Sequence, residues 1–131
     1  MVTKLVLADG TFDPLHAGHL FYLQEATYYG SLLLVRVAPD ADIHAKGRTP
    51  FQSHAERLML IQNLRCVDEV CAHETLASAI RKRRPAYLVK GIDWMGRLPL
   101  DVLLACEEVG AILQFTKTLT RTSRERLAEM V

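Results

Sequence analysis

The sequence predicts an α/β domain of the doubly wound class, in which a five-stranded parallel sheet carries helices on both faces. Short apolar runs alternate with amphipathic segments of helical length, and no repeat or Gly/Ser/Pro-rich linker interrupts them. This alternation indicates right-handed crossovers between parallel strands that are buried on both faces. The length of 131 residues is close to the common size of one domain. We therefore expect a single domain over residues 1–131.

Each predicted strand is a short apolar run with turn-forming or polar residues at its ends. The first run closes at Asp9 and Gly10, and Pro85 separates the fourth run from the helix before it. A polar stretch over residues 39–50 follows the second strand and is predicted as a loop. The fold class supplies the expected strand order 3-2-1-4-5. The predicted strands cover residues 4–8, 31–38, 67–72, 86–90 and 111–116.

Capping residues and helix-stopping residues delimit the predicted helices. Ser53 and Glu56 match a capping box, in which a hydroxyl and a carboxylate each satisfy one backbone N–H. Gly30 is expected as the left-handed residue after the first helix. Pro99 suits the first turn of a helix that ends at Gly110. The predicted helices cover residues 18–29, 53–64, 75–83 and 99–110, and a second capping box at residues 122–125 begins a last one.

Charge and composition narrow the classes of partner. The chain has sixteen Lys and Arg and fifteen Asp and Glu, which gives a net charge of +1. The molecule therefore lacks the strong positive electrostatic field of a nucleic-acid-binding protein. The basic run at residues 81–84 ends a predicted helix, where cations complement the helix dipole. No apolar run reaches the roughly 18–20 residues of a membrane span, and the first residues lack a signal peptide's apolar stretch. We expect a cytoplasmic protein that binds neither nucleic acid nor membrane.

The three cysteines, Cys66, Cys71 and Cys106, cannot all pair within one chain and are predicted to be reduced, buried side chains. Together with His73, the first two resemble a fragment of a metal site. However, their strand positions alternate between faces and no C-x-x-C pair is present. The sequence therefore predicts no metal site built from these residues.

Ligands of doubly wound folds bind at the carboxyl ends of the strands where the strand order reverses, which directs attention to residues 10–19 and 90–96. The first loop holds His16 and His19, about one turn apart at a predicted helix start and near its positive dipole end. Gly18 lets a ligand approach the backbone closely. The arrangement suits nucleotide phosphates, with the imidazoles donating hydrogen bonds to charge that grows during transfer. Zinc binding is the alternative for H-x-x-H spacing, but no third ligand is evident nearby.

Residues 10–19 read GTFDPLHAGH and fit the pattern G-[ST]-F-D-x-x-H-x-G-H at all ten positions. This segment resembles the H-x-G-H signature of the cytidylyltransferase-like nucleotidyltransferases, which implies a Rossmann-like fold. The resemblance covers nearly the whole chain and continues in Lys46, in Glu56-Arg57, in VDEV at 67–70 and in VKGIDW at 89–94. The last segment is intermediate between V-M-G-D-D-W of glycerol-3-phosphate cytidylyltransferases and V-K-G-G-D-Y of heptose-1-phosphate adenylyltransferases. CTP and ATP therefore both stay open as substrates.

The resemblance implies transfer of CMP or AMP from CTP or ATP to a phosphorylated polyol or sugar, with release of pyrophosphate. Mg²⁺ is expected to accompany the triphosphate, and a homodimer is expected. His16, His19 and Lys46 are implied as catalytic residues, and Asp13 and Arg57 as residues near the acceptor. Orienting the loop is the alternative role for Asp13. The residues implied in nucleotide binding are Gly10, Thr11, Phe12, Gly18, Lys90, Gly91, Asp93, Trp94, Lys117, Thr122, Ser123 and Arg126.

The C-terminal segment departs from the family pattern. Glycerol-3-phosphate cytidylyltransferases carry R-T-E-G-I-S-T-T there, whereas Lys117 replaces the arginine and Thr122-Ser123 retain only the hydroxyl pair. A lysine supplies charge but no bidentate fork. Alternatively, Arg126 matches the arginine in the S-[ST]-x-x-R pattern of related adenylyltransferases. The departure keeps open a rival hypothesis, a non-catalytic nucleotide-binding regulatory module of the same fold.

Structural roles are the alternatives for several of these residues. Lys46 also suits a solvated loop lysine, and Arg57 suits pairing with a nearby carboxylate. Lys90 and Asp93 suit an ion pair within their loop, while Trp94 suits covering the edge of the core. The hydroxyl pair near the C-terminus suits helix capping, which is compatible with phosphate binding.

Overall fold

A computed structural model describes residues 3–117 together with residues 125 and 128. The strands are β1 (Leu5–Gly10), β2 (Leu32–Val37), β3 (Glu69–Cys71), β4 (Tyr87–Lys90) and β5 (Ile112–Phe115). They form one parallel sheet in the order β3-β2-β1-β4-β5. The predicted fold class and strand order are confirmed.

The helices cover both faces of the sheet, so the core has two halves. They are α1 (Ala17–Ala26), α2 (Asp40–Ala45), α3 (His54–Gln62), α4 (Leu76–Arg83) and α5 (Leu100–Val109). Val6 of β1 packs on one side with Leu23 of α1 and Ile61 of α3. Leu7 packs on the other side with Ile80 of α4 and with α5. Successive strand residues point to opposite faces, so burial on both faces makes each central strand a continuous apolar run.

The predicted loop at residues 39–50 contains the helix α2, which the sequence analysis missed. Asp40 and Asp42 lie in its first turn, where carboxylates favour the helix dipole. Ile43 is its buried side chain. A single buried residue in a short polar segment leaves no helical periodicity to detect.

The two glycines expected at helix ends differ in conformation. Gly110 follows α5 with φ of 73°, in the left-handed region that favours glycine. Gly30 instead has φ of −165° and is extended, because α1 ends at Ala26 and a 3₁₀ turn over Thr27–Tyr29 intervenes. A Cβ at Gly30 would lie 2.5 Å from the carbonyl oxygen of Lys4. The predicted left-handed role of Gly30 was wrong, since this glycine serves a close approach of two backbone segments.

Helix capping agrees with the sequence in part. The Ser53 hydroxyl accepts the N–H of Glu56 at 3.2 Å, the hydroxyl half of the predicted capping box. Thr75 accepts the N–H of Ser78 at 3.0 Å at the start of α4. Of the capping box predicted at residues 122–125, only Glu125 is among the described residues, and it is helical.

The described part of the chain contains no helix with the length and apolar character needed to cross a membrane. Cys106 is buried as predicted, whereas Cys66 and Cys71 are half-buried. Burial raises the pKa of all three thiols. Across residues 3–117, 125 and 128, no three His, Cys, Asp or Glu side chains are grouped to hold a metal ion.

Candidate active site

The candidate site lies at the carboxyl edge of the sheet, where β1 ends between its two neighbours β2 and β4. Tyr22 of α1 joins two of these strand ends. Its hydroxyl donates to the carbonyl oxygen of Val89 at 2.5 Å and accepts the N–H of Asp9 at 2.9 Å. The connections from β1 and β4 therefore leave the sheet beside each other, at the predicted point where the strand order reverses.

The histidine loop, residues 10–19, is shaped by a contact between a glycine and an aromatic ring. Phe12 is buried, with φ of 52°, and its ring folds back toward the end of β1. A Cβ at Gly10 would lie 3.0 Å from that ring, so glycine makes room for it. The Phe12 ring meets His19 edge to face at 5.1 Å between centroids. Gly10 and Phe12 thus help to position the ring of His19.

The two histidines are held by the backbone at the start of α1. His16 is the N-cap residue, and its Nδ1 accepts the N–H of Gly18 at 3.0 Å. The Nδ1 of His19 accepts the N–H of His16 at 3.2 Å, and the two rings stack at 3.9 Å. A nitrogen that accepts a hydrogen bond carries no proton, so each neutral ring is protonated at Nε2. The geometry fixes the tautomer and makes each Nε2–H a donor.

Asp13 is part of the scaffold of this loop. Its carboxylate is fully buried and accepts the backbone N–H groups of Phe51 and Gln52 at 2.7 and 2.8 Å. The carbonyl oxygen of Asp13 accepts from Arg48 at 3.2 Å. Both carboxylate oxygens are therefore occupied in joining the histidine loop to the segment before α3. The expected acceptor contact of Asp13 is corrected to this loop-orienting role.

Arg57 is also a scaffold residue, which corrects its predicted place at the acceptor. Its side chain is completely buried. The guanidinium donates to the carbonyl oxygens of Thr11 (2.8 Å), Ala38 (2.6 Å) and Gln52 (3.1 Å). It also pairs with Asp40 at 2.6 Å, so the alternative of pairing with a carboxylate is confirmed. Arg57 ties the histidine loop to β2, α2 and α3 at one point.

Three charged side chains, none more than 11% exposed, join the ends of β1, β2 and β4, and we name them the ion cluster: Asp9, Arg36 and Lys90. The Asp9 carboxylate contacts Arg36 at 2.8 Å and Lys90 at 3.1 Å. Arg36 further donates to the carbonyl oxygens of His73 and Glu74. Burial alone would raise the pKa of Asp9, but Lys90 and Arg36 outweigh it and lower the pKa. The carboxylate stays ionised as the centre of the cluster.

Lys46 and Lys90 both approach the ring of Trp94. Their Nζ atoms lie 5.9 and 4.5 Å from the ring centroid, within cation–π distance. Lys46 follows α2 and makes no ion pair with any described residue. Partial burial, Lys90 and Arg48 together lower the pKa of Lys46. Lys46 is thus a cation held close to other cations, where an added anion is stabilised.

The remaining predicted residues fall into several groups. Lys90 pairs with Asp9, so the alternative of a pair with Asp93 was wrong. Asp93 is exposed, and a Cβ at Gly91 would lie 2.5 Å from its Oδ1, so the glycine lets this carboxylate fold back. Lys117 is exposed, and its backbone N–H donates to Glu25 of α1 at 2.8 Å. Thr122, Ser123 and Arg126 lie outside the described residues.

The sequence analysis missed Asp9 and Arg36 as parts of the site. A signal was present, because Arg36 interrupts the apolar run LLLVRV of β2, where a charge requires a partner. Asp9 at the end of β1 supplies one, since parallel strands bring their carboxyl ends to the same edge. Only the register, which sets Asp9 opposite Arg36, identifies the pair.

A cavity of about 220 Å³ opens beside the ion cluster, next to the first turns of α4 and α5. We name it the acidic pocket. Trp94 and Leu98 form part of its apolar wall, and the ion cluster forms part of its polar wall. Three further acidic residues line it: Asp42, Glu74 and Asp101.

Comparisons with known proteins identify the family of this chain. The cytidylyltransferase-like family model matches residues 7–123. The chain is 39% identical over 98 residues to the bifunctional protein HldE of Helicobacter pylori, covering 72% of this chain and 21% of that protein. It therefore spans about a fifth of the length of that relative. It is also 35% identical to the FAD synthase of Methanocorpusculum labreanum, over 98% of this chain and 96% of the relative.

A solved structure has the same fold. The lipopolysaccharide core biosynthesis protein from Thermoplasma volcanium superposes with a TM-score of 0.77 and 26% identity, over 92% of this chain and 100% of that one. The chain belongs to the cytidylyltransferase-like family. The family resemblance read from the histidine loop is confirmed.

Proposed function

We propose that this protein transfers a nucleotidyl group from ATP or CTP to a phosphorylated polyol or sugar and releases pyrophosphate. The observation that carries the proposal is the pair of Nδ1-capped histidines at the start of α1. Two Nε2–H donors beside a helix N-terminus form a site for an anion that gains charge during reaction. Such a site suits the α-phosphate of a nucleoside triphosphate.

The proposed reaction is a direct displacement at phosphorus. An oxygen of the acceptor phosphate attacks the α-phosphorus and forms a new P–O bond. The bond from the α-phosphorus to the oxygen that bridges it to the β-phosphate breaks, and its electron pair leaves with pyrophosphate. The acceptor phosphate is ionised, so no proton has to be removed from it. Catalysis then consists of positioning and charge stabilisation by His16 and His19.

Lys46 is the proposed cation for the substrate phosphates. Lys90 is bound to Asp9 and its side chain is 4% exposed, whereas Lys46 is exposed and has no ion-pair partner among the described residues. An arriving phosphate would offset the repulsion that Lys46 experiences from Lys90 and Arg48. We therefore assign direct phosphate contact to Lys46 and a structural role to Lys90.

Mg²⁺ is proposed to enter with the triphosphate. Mg²⁺ keeps several waters and is commonly bound through substrate phosphates with one or two carboxylates. When bound, the ion would neutralise charge on the phosphate oxygens.

The name of one relative supports a particular donor and acceptor. The name of the Methanocorpusculum labreanum relative, FAD synthase, denotes formation of a dinucleotide that contains AMP, which supports ATP as donor. Its acceptor by that chemistry, FMN, carries its phosphate on a ribityl chain and is itself a phosphorylated polyol. FMN therefore belongs beside glycerol phosphate and sugar phosphates in any test.

The test is a pyrophosphate-release screen of ATP, CTP, GTP and UTP, with Mg²⁺, against sugar phosphates, glycerol 3-phosphate, FMN and choline phosphate. We expect release with ATP or CTP and one phosphorylated polyol or sugar, and loss of release in His16→Ala. Full turnover of His16→Ala contradicts the mechanism. Tight nucleotide binding without turnover on every acceptor favours the regulatory module instead.

We also propose a homodimer, on the family resemblance alone, and a location in the cytoplasm. Light scattering of the purified protein tests the first part, since a monomer mass at micromolar concentration contradicts it. Cell fractionation tests the second part.

A further inference from the structure

The acidic pocket adjoins the candidate active site, yet the proposed reaction at the α-phosphate does not use it. It shares Asp9 and Lys90 with the ion cluster, so it lies at the strand ends from which the histidine loop departs. Its volume of about 220 Å³ is below the roughly 300–1,000 Å³ of pockets that enclose a whole drug-sized ligand. The pocket is therefore sized for one portion of a substrate.

The cations of the pocket are already neutralised. Arg36 is bound by Asp9 and Asp42, and Lys90 is bound by Asp9. The side chains of Arg36 and Lys90 are only 3% and 4% exposed. A ligand anion in this pocket would have to compete with carboxylates that these cations contact directly.

The N-termini of α4 and α5, which lie at the pocket, do not form an anion site either. Glu74 precedes the N-cap Thr75 of α4, and Asp101 lies in the first turn of α5. Both residues line the pocket. Their negative charges offset the positive ends of the two helix dipoles. The Thr75 hydroxyl already accepts an N–H within α4. Carboxylates thus outnumber cations around the cavity, with four facing two.

An apolar wall lies beside these acceptors. The ring of Trp94 and the side chains of Leu98 and Val102 face the cavity. Carbon-bound hydrogens of a sugar or polyol pack on such a surface, while hydroxyl groups donate hydrogen bonds to carboxylates. A second negative group in the same place would face Glu74 and Asp101 at close range.

We infer that the acidic pocket takes the uncharged, hydroxyl-bearing end of the acceptor and selects against acceptors with a second negative group there. This inference rests on the proposed function, because the pocket is assigned to the acceptor of that reaction. Glu74 and Asp101 are the specificity-determining residues. The acceptor phosphate itself lies outside the pocket, toward Lys46 and the histidines.

Two pairs of acceptors test the inference, because the members of each pair differ only by exchange of a CH₂OH group for a carboxylate. They are glycerol 3-phosphate with 3-phosphoglycerate, and glucose 1-phosphate with glucuronic acid 1-phosphate. In the pair that the enzyme accepts as substrates, we expect kcat/KM to be about tenfold or more higher for the neutral member. The carboxylate of the other member is repelled by the carboxylates of the pocket. The double variant Glu74→Gln/Asp101→Asn should reduce this preference several-fold.

The control is Glu107→Gln, which removes an exposed carboxylate from the far end of α5 and should keep the full preference. Glu74 and Asp101 are exposed, so the double variant should fold, and circular dichroism verifies this. Equal use of both members by the wild type overturns the inference. It is also overturned by an unchanged preference in the double variant, or by stronger use of the cationic choline phosphate.

Binding separates this inference from the proposed function. Calorimetry of the same pairs, with a non-hydrolysable triphosphate analogue present, requires no turnover. A preference for neutral members that the double variant loses supports the inference, even where pyrophosphate release is absent and the proposed function fails. Equal affinity for both members, or binding of neither, overturns the inference alone, and the proposed function is decided by the pyrophosphate-release screen.

Discussion

The histidine loop and the ion cluster lie at the same edge of the sheet but are stabilised differently. In the histidine loop, neutral groups meet backbone groups, as in the two Nδ1 atoms that accept N–H groups at the start of α1. In the ion cluster, three buried charges meet one another across β1, β2 and β4. The loop thus positions its donors through backbone contacts, whereas the cluster depends on the ionisation of Asp9.

This difference separates residues that act on the substrate from residues that stabilise the site. The backbone N–H groups occupy Nδ1 of each imidazole, so Nε2 is the ring nitrogen that can donate to charge in a substrate. The cations of the cluster are already bound to a carboxylate and are nearly inaccessible. We therefore expect substitutions in the loop to change turnover and substitutions in the cluster to change stability.

The largest expected effect is on stability, from Asp9→Asn. Removing the carboxylate leaves Lys90 buried without a counter-charge and Arg36 with only the more exposed Asp42, which should cost about 3–5 kcal/mol of unfolding free energy near pH 7. The pKa of Asp9 is lower in the folded protein than in the unfolded chain, where it is about 3.9. The stabilisation by ionised Asp9 is therefore complete above a pH of about 3.9 and is lost as pH falls through the folded-state pKa.

Urea unfolding at a series of pH values measures this contribution. The wild type should lose its advantage over Asp9→Asn as pH falls below about 4, so the two stability curves converge. Curves that remain parallel in acid would show that the ionisation of Asp9 does not stabilise the cluster.

Arg57→Lys tests whether the hydrogen bonds from Arg57 to the histidine loop and its neighbours are structural. Lysine keeps the charge but lacks the fork that reaches Thr11, Ala38 and Gln52 together. We expect a loss of about 3 kcal/mol in unfolding free energy, from buried carbonyl groups left unsatisfied. At a temperature where the variant is folded, its KM for the acceptor should stay within about twofold of the wild type. A large rise in that KM with unchanged stability would return Arg57 to the acceptor site.

His16→Asn distinguishes the cap from the imidazole donor. Asparagine is a good N-cap residue, so stability should change little, whereas His16→Ala should cost about 1 kcal/mol. Both variants lose the Nε2–H donor, and kcat should fall by about 10²-fold or more in each. Single-turnover assays and thermal unfolding of the two variants measure this. Activity retained in the asparagine variant alone would mean that capping is the whole role of His16.

The smallest expected effect comes from Lys46. Lys46→Gln should lower kcat/KM by about tenfold through loss of one charged phosphate contact. Because the pKa of Lys46 is lowered, activity should fall as pH rises through a value below about 10.5. Lys46→Arg keeps the charge at higher pH and should move this alkaline limb upward. An alkaline limb that is identical in wild type and Lys46→Arg would assign it to another group.

Much of the fold follows from local pattern. Apolar runs and capping residues located the five strands and four of the five labelled helices, because burial on both faces and helix ends leave marks within a few residues. The missed helix α2 is short and polar, and its ion pairs come from Arg36 and Arg57, which lie outside it. Gly30 was misassigned because its constraint is the backbone of Lys4, distant in sequence.

The histidine loop was identified from ten consecutive residues, and its capping bonds join residues at most three apart. Sequence alone was sufficient there, since the spacing along one helical turn defines the contact. The roles of Asp13, Arg57 and Lys90 were decided only by the tertiary structure. Their partners come from segments up to 81 positions away, and only the packed sheet and helices show whether a polar side chain contacts a ligand or the scaffold.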